Sequence, residues 1–126
     1  MNSAKILIVE DESIVALDLK HRLMELGYVV TAVTNSGEKA IQQAAETRPD
    51  LVLMDIRLNG KMDGIETARH FQDKFKVPVI YLTALANDDT LTRAKATNFC
   101  GYILKPFDER ELHNAVRYAL VHCKST

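Results

Sequence analysis

The chain has 126 residues, 47% of them hydrophobic and 26% charged, with 16 basic against 17 acidic side chains for a net charge of −1. These values predict one soluble globular domain over residues 1–126 with a real core. They exclude a nucleic-acid binder that works by bulk positive charge, and no apolar run approaches the roughly 20 residues that span a bilayer. The opening Met1-Asn2-Ser3-Ala4-Lys5 runs straight into a strand-like segment, so no signal peptide is expected. Cys100 and Cys123 have neither CxxC spacing nor the density of a disulfide scaffold, which predicts inert thiols in a reducing cytoplasm.

Two kinds of segment alternate along the chain. A first strand is predicted at Lys5-Val9, followed by a helix over Ser13-Leu26 with Ile14, Leu17, Leu19, Leu23 and Leu26 at helical spacing. Tyr28-Val33 reads as the second strand, and Ser36-Thr47 as a helix carrying Ala40, Ile41, Ala44 and Ala45. The third strand is Leu51-Met54, and its helix follows Asp63 with Ile65, Ala68, Arg69, Phe71 and Phe75. Val77-Leu82 is the fourth strand, with a helix over about Asp88-Thr97; Tyr102-Leu104 is the fifth, with a helix over Asp108-His122. The apolar runs are rich in β-branched residues and show little in–out alternation, as strands buried on both faces of a parallel sheet do. Ser13, Ser36, Asp63 and Asp108 are candidate helix caps, Gly27 and Gly101 separate helix from strand, and Pro49 closes the second helix. The pattern is an α/β (βα)₅ chain, expected to fold as a doubly wound parallel sheet with helices on both faces.

Such sheets bind ligands beyond the carboxyl ends of their strands. There the chain carries Glu10-Asp11-Glu12 after the first strand, Asp55 after the third, Thr83-Ala84 after the fourth and Lys105-Pro106 after the fifth. Crowded carboxylates repel, and a hard divalent cation held by oxygens is the usual counter-charge. A neighbouring lysine and threonine suit a phosphoryl group, and Asp55 is the candidate nucleophile, since aspartate can form an acyl phosphate. A side chain larger than Ala84 would obstruct an incoming phosphoryl donor. Taken singly, the acidic triplet reads as a solvated turn, Lys105-Pro106 as a loop and Thr83 as a helix cap; four strand ends acting together read as a site. His21, His70, His113 and His122 fall in separate helices without ligand spacing. The basic residues Arg93, Lys95, Arg110 and Arg117 read as solvated.

The motifs ILIVEDE at 6–12, LVLMDIRL at 51–58, MDGIE at 62–66, VIYLTA at 79–84 and YILKPF at 102–107 together resemble the receiver domain of two-component response regulators, over about residues 4–122. The resemblance extends to chemotaxis-type single-domain receivers and to receivers of hybrid histidine kinases. It implies the flavodoxin-like strand order 2-1-3-4-5. It implies that Asp55 accepts a phosphoryl group from a phosphohistidine on a histidine kinase or histidine phosphotransfer protein. Asp11, Asp55 and the backbone carbonyl of Arg57 would ligate Mg²⁺, or Mn²⁺ in its place, with Glu10 contacting the ion through water. Thr83 and Lys105 would hold the phosphoryl oxygens, Lys105-Pro106 would be cis, and Tyr102 would turn inward as Thr83 moves. The fourth helix, fifth strand and fifth helix would then repack to control a partner or output domain. The implied protein is a cytoplasmic phosphoacceptor switch rather than an enzyme, with no direct contact to nucleic acid or membrane.

Three features depart from the family pattern. The stretch from Ile56 to Met62 is one residue longer and lacks the usual proline, with Asn59-Gly60 supplying a turn. Arg57 and Leu85 flank the phosphoryl position, a pairing expected to shield an acyl phosphate from water. Asn98-Phe99-Cys100-Gly101 replaces the Gly-Ala-Asp-Asp of many DNA-binding regulators, which favours a stand-alone or kinase-associated receiver. Two rivals weigh against this reading. An Asp-nucleophile phosphatase needs a second aspartate where Arg57 stands, and a pseudo-receiver would bind without being phosphorylated. A P-loop enzyme is excluded because GxxxxGK[ST] is absent.

Overall fold

A computed structural model of the chain describes residues 3–58, 60–84, 92–94, 97 and 99–123. Five parallel strands, β1 (Lys5–Val9), β2 (Val29–Thr34), β3 (Leu51–Asp55), β4 (Val79–Thr83) and β5 (Gly101–Leu104), form one sheet in the order β2-β1-β3-β4-β5. This is the order expected. Between them run α1 (Ser13–Glu25), α2 (Gly37–Thr47) and α3 (Gly64–His70), the last continuing into a π-helical turn over Phe71–Phe75; α5 (Glu109–His122) closes the chain. Of the predicted fourth helix, α4, residues 92–94 are described and are helical. Asn59, Leu85, Asp88, Lys95 and Asn98 lie outside the described residues.

The inner strands β1, β3 and β4 lack in–out alternation because both of their faces are apolar and covered. The edge strands β2 and β5, expected to be buried on both faces, leave Val29, Val33, Tyr102 and Leu104 partly exposed because each has a neighbour on one side only. Ile6, Ile8, Leu51, Leu53, Ile80, Leu82 and Ile103 meet Ala16, Leu19 and Leu23 of α1 and Leu112, Val116 and Ala119 of α5. The intervening residues, Leu7, Val9, Val52, Met54, Val79 and Tyr81, point the other way onto Ala40, Ala44, Ile65, Ala68, Phe71 and Ala94. A side-chain period of two thus divides one apolar run between two cores. Pro78 precedes β4 and contributes only its carbonyl, which accepts from the Val52 N–H at 3.1 Å.

The caps follow the sequence with one correction. Ser36 accepts from the Lys39 N–H, while Asp63 and Asp108 each complete a capping box with Glu66 and Glu111. Ser13, however, is the first helical residue of α1; the cap position is Glu12, whose side chain makes no capping bond. Ile14 and Leu17 also leave the expected stripe, being 85% and 55% exposed, because α1 turns Ala16, Leu19 and Leu23 to the sheet instead. The two cysteines are corrected as well. Helix α5 runs back along the sheet and returns its C-terminal end to the start of β5, so Cys100 and Cys123 are disulfide-bonded rather than separate inert thiols. Among the described residues no helix is long and apolar enough to cross a membrane.

Candidate phosphoryl-accepting site

The three central strands end at one edge of the sheet, and each delivers a polar residue there. Glu10 follows β1, its backbone N–H donating to the Thr34 carbonyl at 3.0 Å; Asp55 is the last residue of β3 and Thr83 the last of β4. All three are buried, at 2%, 5% and 3% exposure. Lys105 arrives from the edge strand β5, fixed by its N–H bond to the Thr83 carbonyl at 2.8 Å and followed by a cis bond to Pro106 as expected.

The side chains converge. The Lys105 ammonium lies 2.7 Å from Glu10 Oε1, 3.5 Å from Asp55 Oδ2 and 3.6 Å from Glu12 Oε1. Glu10, Asp11 and Asp55 each offer a carboxylate oxygen, and these oxygens lie within 4.8 Å of one another. The Arg57 N–H donates to Asp55 Oδ1 at 2.9 Å, which places the Arg57 backbone beside the carboxylates. The Arg57 side chain itself is exposed. Asp11, Glu12, Asp55, Arg57, Thr83, Ala84 and Lys105 line an open cavity of about 340 Å³. A larger groove of about 800 Å³ runs between α1 and α2 and borders Glu10 and Asp11, but it lacks Asp55, Thr83 and Lys105 and therefore the convergent chemistry.

One ammonium stands among several carboxylates, and the electrostatics follow. Burial pushes the Asp55 carboxyl up to about 7, helped by its hydrogen bond with the Glu10 carboxyl, while the Arg57 N–H and Lys105 pull in the opposite sense. For Lys105 burial opposes the charged form, but Glu10, Asp55 and Glu12 outweigh it and its pKa is raised. The set retains excess negative charge and presents only hard oxygen donors. These are the properties that a divalent cation such as Mg²⁺ complements.

The predicted residues Glu10, Asp11, Asp55, Thr83 and Lys105 therefore meet at one site, with the Arg57 backbone beside them. Tyr102 is apart: it stands 49% exposed on β5 rather than turned inward. Two contributors have no role of their own in the sequence reading: Glu12, which enters there only as part of the acidic triplet, and Gly64. Glu12 reaches Lys105 because the turn after β1 is extended, with the Glu12 N–H bonded to Glu10 Oε2 at 3.1 Å. Gly64 donates its N–H to the Ile56 carbonyl at 3.0 Å, and a Cβ there would meet the Asp55 carbonyl oxygen and lie 2.8 Å from Ile56 Cα. Only glycine lets the start of α3 approach the end of β3 this closely; the Asp-Gly pair at a helix start was its one sequence signal. Arg93 is exposed as expected and also pairs with the capping Asp63 at 2.8 Å.

Comparison with known proteins places this geometry. A family model described as the response regulator receiver domain matches residues 6–117. The chain is 34% identical over 116 residues to the transcriptional regulatory protein PdtaR of Mycobacterium tuberculosis, covering 92% of this chain and 56% of that protein. It spans about half the length of most of the curated relatives it matches most strongly. The signal receiver domain of a modulated diguanylate cyclase from Desulfovibrio desulfuricans superimposes with a TM-score of 0.93 at 37% identity, covering 98% of both chains. The receiver domain of the sensor histidine kinase PA1611 from Pseudomonas aeruginosa, with a magnesium ion coordinated in its active-site cleft, gives 0.85 at 30% identity, covering 95% of this chain and 99% of that one. Family match, strand order and the acidic strand-end cluster agree, and the chain belongs to the response regulator receiver domains of two-component signalling systems.

Proposed function

We propose that this receiver is a phosphoacceptor switch in the cytoplasm, phosphorylated on Asp55 by a histidine kinase or a histidine phosphotransfer protein. The observation that carries the reading is the buried Asp55 carboxylate at the end of β3, 3.5 Å from the Lys105 ammonium and clustered with Glu10 and Asp11. In the ionised form, Asp55 Oδ2 attacks the phosphorus of the phosphohistidine in line. The new O–P bond forms as the N–P bond breaks, and the electron pair of that bond leaves on the imidazole nitrogen. Lys105 then exchanges part of its pairing with Glu10 for the incoming phosphoryl oxygens, and the Thr83 hydroxyl donates to them. Asp55 Oδ1 remains held by the Arg57 N–H, which fixes the carboxylate plane during attack.

Glu10, Asp11, Asp55 and the Arg57 carbonyl would hold Mg²⁺, which when bound neutralises charge on the phosphoryl oxygens. The chain is a switch, not a turnover enzyme. The phosphoryl group adds a dianion beside β4 and β5, drawing Thr83 and Lys105 and shifting α4, β5 and α5 against a downstream protein or output domain. Exposed Tyr102 is the side chain free to turn inward when Thr83 moves.

The test is incubation with Mg²⁺ and acetyl phosphate followed by intact mass. A gain of about 80 Da, one phosphoryl group, that is lost in Asp55→Asn supports the reading. If neither acetyl phosphate nor a panel of phosphorylated histidine kinases yields that gain on folded protein, the chain is a pseudo-receiver and the proposal fails.

A further inference from the structure

The chain has two cysteines, and the fold brings them together across 23 residues of sequence. Their Cα atoms lie 6.1 Å apart, within the window of roughly 4.4–6.8 Å that a disulfide bridges without backbone movement. The two ends differ in how firmly they are held. Cys100 sits on a fixed anchor: its N–H donates to the Val79 carbonyl at 2.8 Å. The preceding Phe99 packs on the Tyr81 ring at 5.3 Å, and the buried Tyr81 hydroxyl bonds Thr97 Oγ1 at 2.8 Å. Cys123 caps α5, held by a single bond from its N–H to the Ala119 carbonyl.

The last turn of α5 is otherwise lightly secured. Its buried residues are Leu112, Val116 and Ala119; beyond them Leu120 is half-buried, Val121 is 68% exposed and His122 is exposed. A helix end with little burial frays unless something ties it down. Both cysteines are only half-buried, so a small thiol or disulfide reaches them. The segment that the bond closes contains all of β5, Lys105 and α5.

We propose that Cys100 and Cys123 are a reversible thiol–disulfide site that takes a low-molecular-weight disulfide of the glutathione class as oxidant and fastens the last turn of α5 to the start of β5. One protein thiolate attacks the small disulfide, forming a mixed disulfide and expelling one small thiolate. The second protein thiolate attacks the protein sulfur of that mixed bond and expels the other small thiolate. Two electrons pass from the protein to the oxidant, the two protons end on the released thiols, and excess small thiol runs the sequence backward. In a reducing compartment such a bond is transient and reports oxidant, whereas a permanent staple belongs to secreted chains. Neither sulfur belongs to the Glu10, Asp11 and Asp55 cluster, so the exchange chemistry itself uses none of those carboxylates.

The full-length protein is equilibrated with mixtures of oxidised and reduced glutathione, then alkylated for intact mass and, in parallel, followed by amide hydrogen exchange. The expected result is one two-electron transition from two alkylated thiols to none, with the oxidised monomer about 2 Da lighter before alkylation. Exchange at residues 120–123 should be slowed by about tenfold in the oxidised form, and this redox dependence should vanish in Cys123→Ser. Thiols that stay alkylatable throughout, a disulfide formed between two chains, a bond that survives excess reduced glutathione, or equal exchange in both forms would each overturn the proposal.

Discussion

Replacing Asp55 by asparagine removes a strongly disfavoured charge while keeping its shape and its bond from the Arg57 N–H. Burial and the Glu10 carboxyl move the Asp55 pKa from its ordinary 3.8 to about 7. Each pKa unit corresponds to about 1.4 kcal/mol, so ionised Asp55 destabilises the metal-free native state by at most about 4 kcal/mol. The Lys105 attraction is already contained in that net shift, and the Asn amide and the protonated carboxyl are desolvated alike. The expected net stabilisation above about pH 7 is therefore at most about 4 kcal/mol, or roughly 16 °C in Tm. The sign with pH follows from proton binding. Between pH 4 and about 7 the native state keeps the Asp55 proton that the unfolded chain has lost. Wild-type stability therefore falls as pH rises through that window, and the full deficit is present above it. Thermal unfolding in EDTA at several pH values checks this: the Asp55→Asn advantage should be near zero at pH 4 and reach its plateau at pH 8. Carboxylates remote from Asp55 titrate in both proteins and cancel in the difference. An advantage that is constant with pH, or that shrinks as pH rises, would refute the assignment of the stress to Asp55.

Two further substitutions test the frame around the site. Gly64→Ala drives a Cβ into the end of β3 and should cost about 2 kcal/mol or more in urea unfolding, with slower phosphorylation of Asp55; wild-type stability and rate would show that the close approach is not needed. Asp63→Ala loses the cap, the capping box and the Arg93 pair and should cost about 1–2 kcal/mol, whereas Arg93→Ala, at an ion pair largely open to water, should cost under about 0.5 kcal/mol; equal losses would contradict the ranking.

The strands and the reacting groups were legible because one physical signal marks both. A β-rich apolar run that stops at a charged or hydroxyl residue announces a strand end and its cargo together, and Glu10, Asp55, Thr83 and Lys105 all sit at such stops. Asp63 and Asp108 were legible for a local reason, since a cap and its partner lie three residues apart. Ile14 and Leu17 misled because residues three apart define a helical face without saying which face meets the sheet. The Arg93–Asp63 pair, the reach of Glu12 and the Cys100–Cys123 bond depend on how separate elements pack, and sequence spacing carries no trace of that. The π-helical turn at Phe71–Phe75 still sets those rings 5.6 Å apart, so an i, i+4 stripe did not distinguish it from an ordinary helix.

The order of the sheet has a consequence for how such a molecule diversifies. Glu10, Asp55 and Thr83 hang from β1, β3 and β4, the three inner strands, while Lys105 and the outward faces of β5 and α5 belong to the rim. Each inner strand is clasped by a neighbour on either side, so the spacing of the carboxylates is dictated by interstrand hydrogen bonds and is indifferent to what covers the outside. Surface residues such as Tyr118 and Val121 can be exchanged for a new client without retuning the chemistry. A single reaction centre can in this way be fitted with many different sockets.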